Sequence, residues 1–452
     1  MARGREPIFR RPILASIAAM ALGAAIALPG PAAALSLIRD AEIERTLSRV
    51  AAPILRAAGL RPASVDIYIV NDREMNAFTA GGETIFLHAG MITRLETVDQ
   101  LRSVIAHEAG HIAGGHVARR DAALGGARGI SALGMIGAVA ATLGGAPQAG
   151  MMIGAGSQHA AQRAALSHSR AEEAAADQAG LDYMAASGAD PAAALEVLRL
   201  FRGQEALLGN NQNAYARTHP LFSERARLIE DRVARLPRGE GPSAAEVYWH
   251  RRMVAKFNAF LLNPRDTLRA TPDSDTSEFA ALSRAIAYHR LPDPARALAQ
   301  VDALIAARPD DPFYHELKGQ FLLEIGQASA AAASYRQAVA LAPDEPLILG
   351  ALGRALLNID GGTAVREARE VLEQAARLDR ADTGILRDLA LARARSGDEG
   401  LAALATAERY ALQGRFPDAL RNAERAAAML PQGSPGWQQA QDVISSARRA
   451  LN

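Results

Sequence analysis

LRSVIAHEAGHIAGGHV, residues Leu101–Val117, decides how this chain is read. The stretch reads as a helix, and His107-Glu108-Ala109-Gly110-His111 within it is an H-E-x-x-H motif. Residues four apart on a helix share a face, so both imidazoles can hold one Zn²⁺. Glu108 is then placed to act as general base on the water that attacks a peptide carbonyl. A catalytic zinc site needs a third protein ligand. His116 is one candidate, but the third histidine of the pattern H-E-x-x-H-x-x-G-x-x-H would stand at Val117. His116 also lies about 140° round a continuing helix from His111, which predicts a solvated side chain. A second candidate lies in Ser169–Asp177, where Glu173 and Asp177 share a helical face. There the glutamate can bind metal while the aspartate accepts the spare N–H of a ligand histidine. Two surface carboxylates on an alanine-rich helix are the plainer alternative. His168, just before that helix, is a third and weaker candidate.

The 452 residues leave room for two or three domains. A formal net charge of +1 and the lack of a long basic, aromatic-interleaved patch argue against nucleic acid as a partner. Cysteine is absent, which excludes thiol catalysis, cysteine-held zinc and disulfides. Arg3, Arg5, Arg10 and Arg11 precede an uncharged apolar stretch, Ile13–Leu28, a Pro29-Gly30-Pro31 break and Ala32-Ala33-Ala34. That order predicts a secretory signal peptide over 1–34 and a mature protein outside the cytoplasm; an uncleaved anchor is the alternative.

Asp40–Ala58 reads as a first helix, Val65–Val70 as a strand, and the Gly81-Gly82 pair as the turn of a short hairpin. No charged residue stands between Arg128 and Arg163, so 129–162 reads as a buried helix, a lid, or a hairpin in peripheral contact with membrane. Further helices are expected over His168–Ala186 and Pro191–Arg202. Leu236–Ser243 reads as a linker, Ala244–Leu262 as a lone helix and Asn263–Ser277 as a second linker. Beyond it a repeat sets in. Pro309 and Pro343 are 34 residues apart, as are Pro312 and Pro346, with Gly319 matching Gly353 and Leu322 matching Leu356. Pro346–Arg380 fits after a three-residue insertion near Gly361-Gly362. This period, with small residues where helices touch, is the tetratricopeptide signature, an array that buries each repeat against its neighbours.

H-E-x-x-H followed by Ser169-Arg170-x-x-Glu173-x-x-x-Asp177 resembles the gluzincin family of HtpX and the CAAX prenyl proteases. Asn76-Ala77-Phe78, Gly81-Gly82-x-Thr84-Ile85 and Thr218-His219-Pro220 with Arg225 match that family too. The resemblance implies one zinc per chain on His107, His111 and Glu173, Glu108 as catalytic base and Asp177 behind a ligand. It places His219 near the metal, either stabilising an oxyanion with Arg225 or occupying the fourth zinc position at rest. It also implies that the substrate adds as a strand along Thr84, Ile85, Phe86, Leu87 and His88. The expected fold is α+β, a mostly helical zincin-type metalloprotease domain with a small sheet over 35–240. A linker helix and linker (241–277) then lead to an all-α tetratricopeptide solenoid (278–452). The expected function is periplasmic zinc endopeptidase action on misfolded or stalled envelope and outer-membrane proteins, with the repeats meeting the outer-membrane assembly machinery. A repeat-based assembly chaperone or adaptor with a silent metal site is the alternative reading, and an integral-membrane protease a third.

Overall fold

The computed structural model describes residues 36–123, 169–201, 215, 218–219 and 223–451. The expected signal peptide, His168 and the 129–162 segment lie outside these residues. Among the described residues, no helix is long and apolar enough to cross a membrane.

Among the described residues four strands form one sheet: β1 (Leu37–Ile38), β2 (Asp66–Val70), β3 (Ala77–Ala80) and β4 (Thr84–His88). Gly81 and Gly82 take φ of 60° and 100°, the left-handed backbone that lets β3 turn into β4. The hairpin pairs Ala77 with Leu87 and Ala80 with Thr84. β4 then pairs parallel to β2 across its other side, giving the order β1-β2-β4-β3. This corrects the expected substrate edge. Both sides of Thr84–His88 are already hydrogen-bonded to neighbours, so the strand has no free ladder to offer; among the described residues β3 is the terminal strand of the sheet.

Helix α1 (Ala41–Ala57) starts on Asp40, whose carboxylate accepts from the Ile43 amide, and carries Glu42 and Glu44 in its first turn. These caps satisfy the orphan amides and favour the positive end of the helix dipole. After α2 (Ala89–Arg94), the motif helix α3 (Val98–Ala113) opens on a reciprocal Thr97–Gln100 capping box. It ends at Ala113, not Val117: Gly115 has φ 64°, and a new helix α4 (His116–Ala123) begins in another direction. Helix α5 (Arg170–Ala186) opens on a second capping box, Ser169–Glu172. It crosses α3 at close quarters, because a Cβ on Gly110 would lie 2.8 Å from the Ala176 carbonyl oxygen and one on Gly180 3.1 Å from the Ala106 carbonyl carbon. Two glycines thus let the backbones approach and bring the carboxylates of α5 to the histidines of α3. Helices α6 (Ala192–Leu200) and α7 (Ser223–Val233) complete this part. Its core runs through Leu47, Ile54, Ile69, Leu87, Ile105 and Ala109.

Helix α8 (Ala244–Leu261), the expected linker helix, is mostly built into the fold. Met253 and Phe257 join the protease-side core, while Ala259 belongs to the first repeat core. The expected second linker holds a short helix, α9 (Pro264–Ala270). Then follow α10 (Glu278–Arg290) with α11 (Pro294–Ala307), α12 (Pro312–Glu324) with α13 (Ala328–Leu341), α14 (Pro346–Leu357) with α15 (Gly362–Leu378), α16 (Thr383–Arg395) with α17 (Glu399–Leu412), and α18 (Phe416–Met429) with α19 (Pro435–Leu451). The prolines of the repeat frame open α12 and α14, where a missing N–H costs nothing. The matching glycines sit where helices touch: a Cβ on Gly319 would meet the Tyr335 ring, and one on Gly353 would meet Leu372.

Buried charges join the two parts. Lys256 contacts Asp40 at 2.7 Å, Glu42 at 3.2 Å and Glu316 at 3.7 Å. Arg252 forms ion pairs with Glu42 at 2.6 Å and with Asp311, and Arg39 reaches Glu44, Asp379 and Asp382.

Candidate metal centre

His107, Glu108 and His111 come from α3, Glu173 and Asp177 from α5, Arg225 from α7, and His219 from the segment before α7. All are buried, and Glu108, His111, Glu173 and His219 are wholly so. His107 Nε2 lies 3.1 Å from His111 Nε2 and 3.1 Å from His219 Nδ1. Glu173 Oε1 lies 3.0 Å from His219 Nδ1 and 3.3 Å from His111 Nε2. Ligand atoms about 2.0–2.1 Å from a tetrahedral zinc stand about 3.3–3.4 Å from one another. The four side chains, with ligand atoms all within 4.8 Å of one another, are spaced close to that figure.

Charge makes the same point. Glu108, Glu173 and Asp177 are three buried carboxylates facing one buried guanidinium, Arg225. Burial by itself would lower the His107 pKa, but hydrogen bonds to Asp177 and Glu173 outweigh it and lift it to about 10. His111, by contrast, is held down to about 3 by burial. The carboxylates thus favour positive charge at the cluster. The donor set therefore fits zinc.

The nitrogen of each histidine that faces away from the cluster is held by a neighbour. His107 Nδ1 lies 2.9 Å from Asp177 Oδ1. His219 Nε2 donates to the Ala77 carbonyl at 3.0 Å. Thr218 donates from its hydroxyl to the Asn76 amide oxygen at 3.1 Å, so the two distant motifs Asn76-Ala77 and Thr218-His219 meet at the end of β3. Tyr215, which the sequence reading did not single out, packs its ring 4.5 Å from that of His219 and 4.6 Å from Phe201. Its own spacing, three and four residues ahead of Thr218 and His219, was the available signal.

Glu108 follows His107 on α3 and is wholly buried. Both carboxylate oxygens are buried and make no hydrogen bond among the described residues, although His219 Nε2 lies 3.3 Å from Oε1. Burial raises its pKa, with His219 and His107 opposing. Glu172, the neighbour of Glu173, instead caps its own helix through Ser169.

Arg225 is drawn to the carboxylates: its Nε and Nη2 donate to Asp177 at 2.5 and 2.9 Å, Nη1 lies 2.7 Å from Glu173 Oε2, and Nη1 also donates to the His219 carbonyl at 3.4 Å. One expectation changes here. His116 is not solvated but 4 % exposed, because the chain breaks at Gly114-Gly115 and turns the ring back toward His111.

The family model of Peptidase family M48 matches residues 37–233. The chain is 26% identical over 377 residues to the beta-barrel assembly-enhancing protease of Yersinia pestis, covering 81% of this chain and 75% of that one. It is 24% identical over 402 residues to the protein of the same name from Escherichia coli (strain K12), covering 88% and 81%. Over 185 residues it is 28% identical to the mitochondrial metalloendopeptidase OMA1 of Schizosaccharomyces pombe, covering 41% and 51%. The chain carries a Peptidase family M48 domain over residues 37–233 and is a zinc metalloprotease.

Proposed function

We propose that this chain is a periplasmic endopeptidase acting on misfolded or stalled envelope proteins, outer-membrane β-barrels among them. The observation that carries the chemistry is the buried, unbonded Glu108 carboxylate beside three histidines and Glu173 whose ligand atoms converge. The names of the relatives from Yersinia pestis and Escherichia coli support the client class. The basic, apolar and Ala-x-Ala order of residues 3–34 supports export.

In this reading His107, His111 and Glu173 hold the zinc, and Asp177 and Arg225 keep them in place. Zinc held there supplies Lewis acidity for the scissile carbonyl and the attacking water. Glu108 takes the water's proton on a carboxylate oxygen and hands it to the departing amine nitrogen. The substrate pairs as a strand with β3, the terminal strand, and not with Thr84–His88. Main-chain pairing selects extended segments over a strict side-chain code. His219 occupies the fourth position at rest while its other nitrogen holds the Ala77 carbonyl, so it leaves both when substrate enters.

A cavity of about 780 Å³ lies between Leu37, Tyr68 and the repeat residues Gln320, Tyr335, Arg354 and Gln413. It favours a second, holding role in which the repeats grip a client or the outer-membrane assembly machinery. The two roles separate at Glu108→Gln in the full mature chain, tested against an unfolded β-barrel protein. With zinc retained, proteolysis is expected to fall about 10²- to 10⁴-fold while client binding persists. Undiminished proteolysis would remove Glu108 as the base. His219→Ala is expected to raise basal proteolysis, and an unchanged or lower rate would end the resting-ligand reading.

A further inference from the structure

His116 has no place in the chemistry above, yet the fold goes to some trouble to bury it. On a continuing α3 it would point about 140° away from His111. Instead α3 ends with Gly114 at φ −70° and ψ −9°, and Gly115 at φ 64° reverses the chain. The left-handed turn is secured by Arg119, which donates to the Gly114 carbonyl at 2.7 Å. As a result His116 Nδ1 lies 2.9 Å from His111 Nδ1, the rings edge to face at 5.0 Å between centroids. Gly114 is needed a second time: a Cβ there would sit 2.7 Å from His116 Nε2. Both glycines therefore serve the placement of one imidazole.

The direction of the His111–His116 hydrogen bond follows from the other end of His111. Its Nε2 faces His107 Nε2 and Glu173 Oε1, the ligand set proposed above, and as a zinc ligand that nitrogen would give its lone pair to the metal. The proton of neutral His111 is then on Nδ1, and His111 Nδ1–H donates to His116 Nδ1. Each cluster histidine has a different support: Asp177 for His107, a main-chain carbonyl for His219, an imidazole for His111.

We propose that His116 is the positioning residue for His111, fixing its tautomer and ring plane by accepting from Nδ1, within a turn that Gly114 and Gly115 shape for it. This rests on the reading of His107, His111 and Glu173 as zinc ligands. The test measures zinc affinity of the full mature chain by competition with a colorimetric chelator, alongside the thermal stability of the zinc-free protein. His116→Phe keeps a buried ring without an acceptor, and His116→Asn puts an amide oxygen near the old Nδ1; His116→Ala covers the case in which phenylalanine does not fit. The expected result is a loss of about 10- to 100-fold in zinc affinity for Phe and Ala, with Asn recovering most of it. Equal losses in Asn and Phe, or zinc affinity in Phe equal to that of the unaltered chain, would overturn the acceptor role. Glu173→Ala is measured beside them: zinc binding untouched there would sink the ligand set itself, a failure distinct from that of His116.

Discussion

The molecule gathers two clusters of acids away from open solvent, and they are resolved in opposite ways. At the metal centre, Glu108, Glu173 and Asp177 face one arginine, and the remaining donors are histidine nitrogens whose lone pairs converge. At the junction of the two parts, Asp40, Glu42, Glu316 and Asp311 are interleaved with Lys256 and Arg252, whose N–H groups fill the space between them. Converging acceptors leave room for a cation from outside; interleaved donors close the network from within. What separates a binding site from a structural joint is therefore not acidity or burial but whether the chain brings its own cations.

The comparison breaks most visibly at Lys256. Lys256→Met would leave buried Glu42 and half-buried Asp40 and Glu316 around an apolar chain, a loss of about 3 kcal/mol in denaturant unfolding. A loss under 1 kcal/mol would show that water enters the joint and supplies what lysine does. Stripping zinc is the matching insult to the other cluster. Ligand binding at a thousandfold excess over Kd contributes about 4 kcal/mol, so chelation is expected to lower the thermal midpoint and raise amide exchange in α3 and α5. The joint around α8 and α12 should keep its protection; loss of protection in both would mean that the clusters are not independent.

A smaller effect is expected at Gly110→Ala, inside the motif itself. The added methyl meets the Ala176 carbonyl at 2.8 Å, so α5 must shift, at about 1–3 kcal/mol, and zinc affinity should fall with it. Unchanged affinity would show that the carboxylates of α5 tolerate the displacement. The smallest effect is a pH dependence at the joint. Burial, with Glu44 adding to it, pushes Glu345 up to about 7, against Arg45 and Arg39. Its folded pKa lies above the unfolded one, so the folded state keeps a proton that the unfolded state loses between about pH 4.5 and 7. Stability falls as pH rises through that window, and the cost is complete above it. Glu345→Gln should therefore be more stable than the parent at pH 8, by about 1 kcal/mol, and equal to it at pH 4. A difference independent of pH would remove the titration as its cause.

Much of the metal centre was legible because helical periodicity is local. Positions 107 and 111, and 173 and 177, share faces whatever the rest of the chain does. The repeats were legible for the same reason, with prolines opening α12 and α14 and small residues standing where helices touch. The errors arose where a long-range pairing decides. β4 becomes a central strand because β2, from before the hairpin, pairs on its far side, and nothing within Thr84–His88 announces that. Arg39 meets Asp379 and Asp382 from the other end of the chain, so the joint had no local pattern. His116 is a different case. Gly114-Gly115 is a readable helix stop, and projecting α3 straight through it misplaced the histidine.

Helix α8 carries one further consequence. Met253 and Phe257 on one side and Ala259 on the other belong to two cores, while Lys256 and Arg252 tie it to α1 and α12. Helix α1 in turn packs against both α3 and α5. The two modules are therefore not beads on a string that recombination can trade one for the other. A different solenoid grafted at residue 262 would inherit half of an ion network and lack the acids that match Lys256 and Arg252, so this protease and its repeats must change together or not at all.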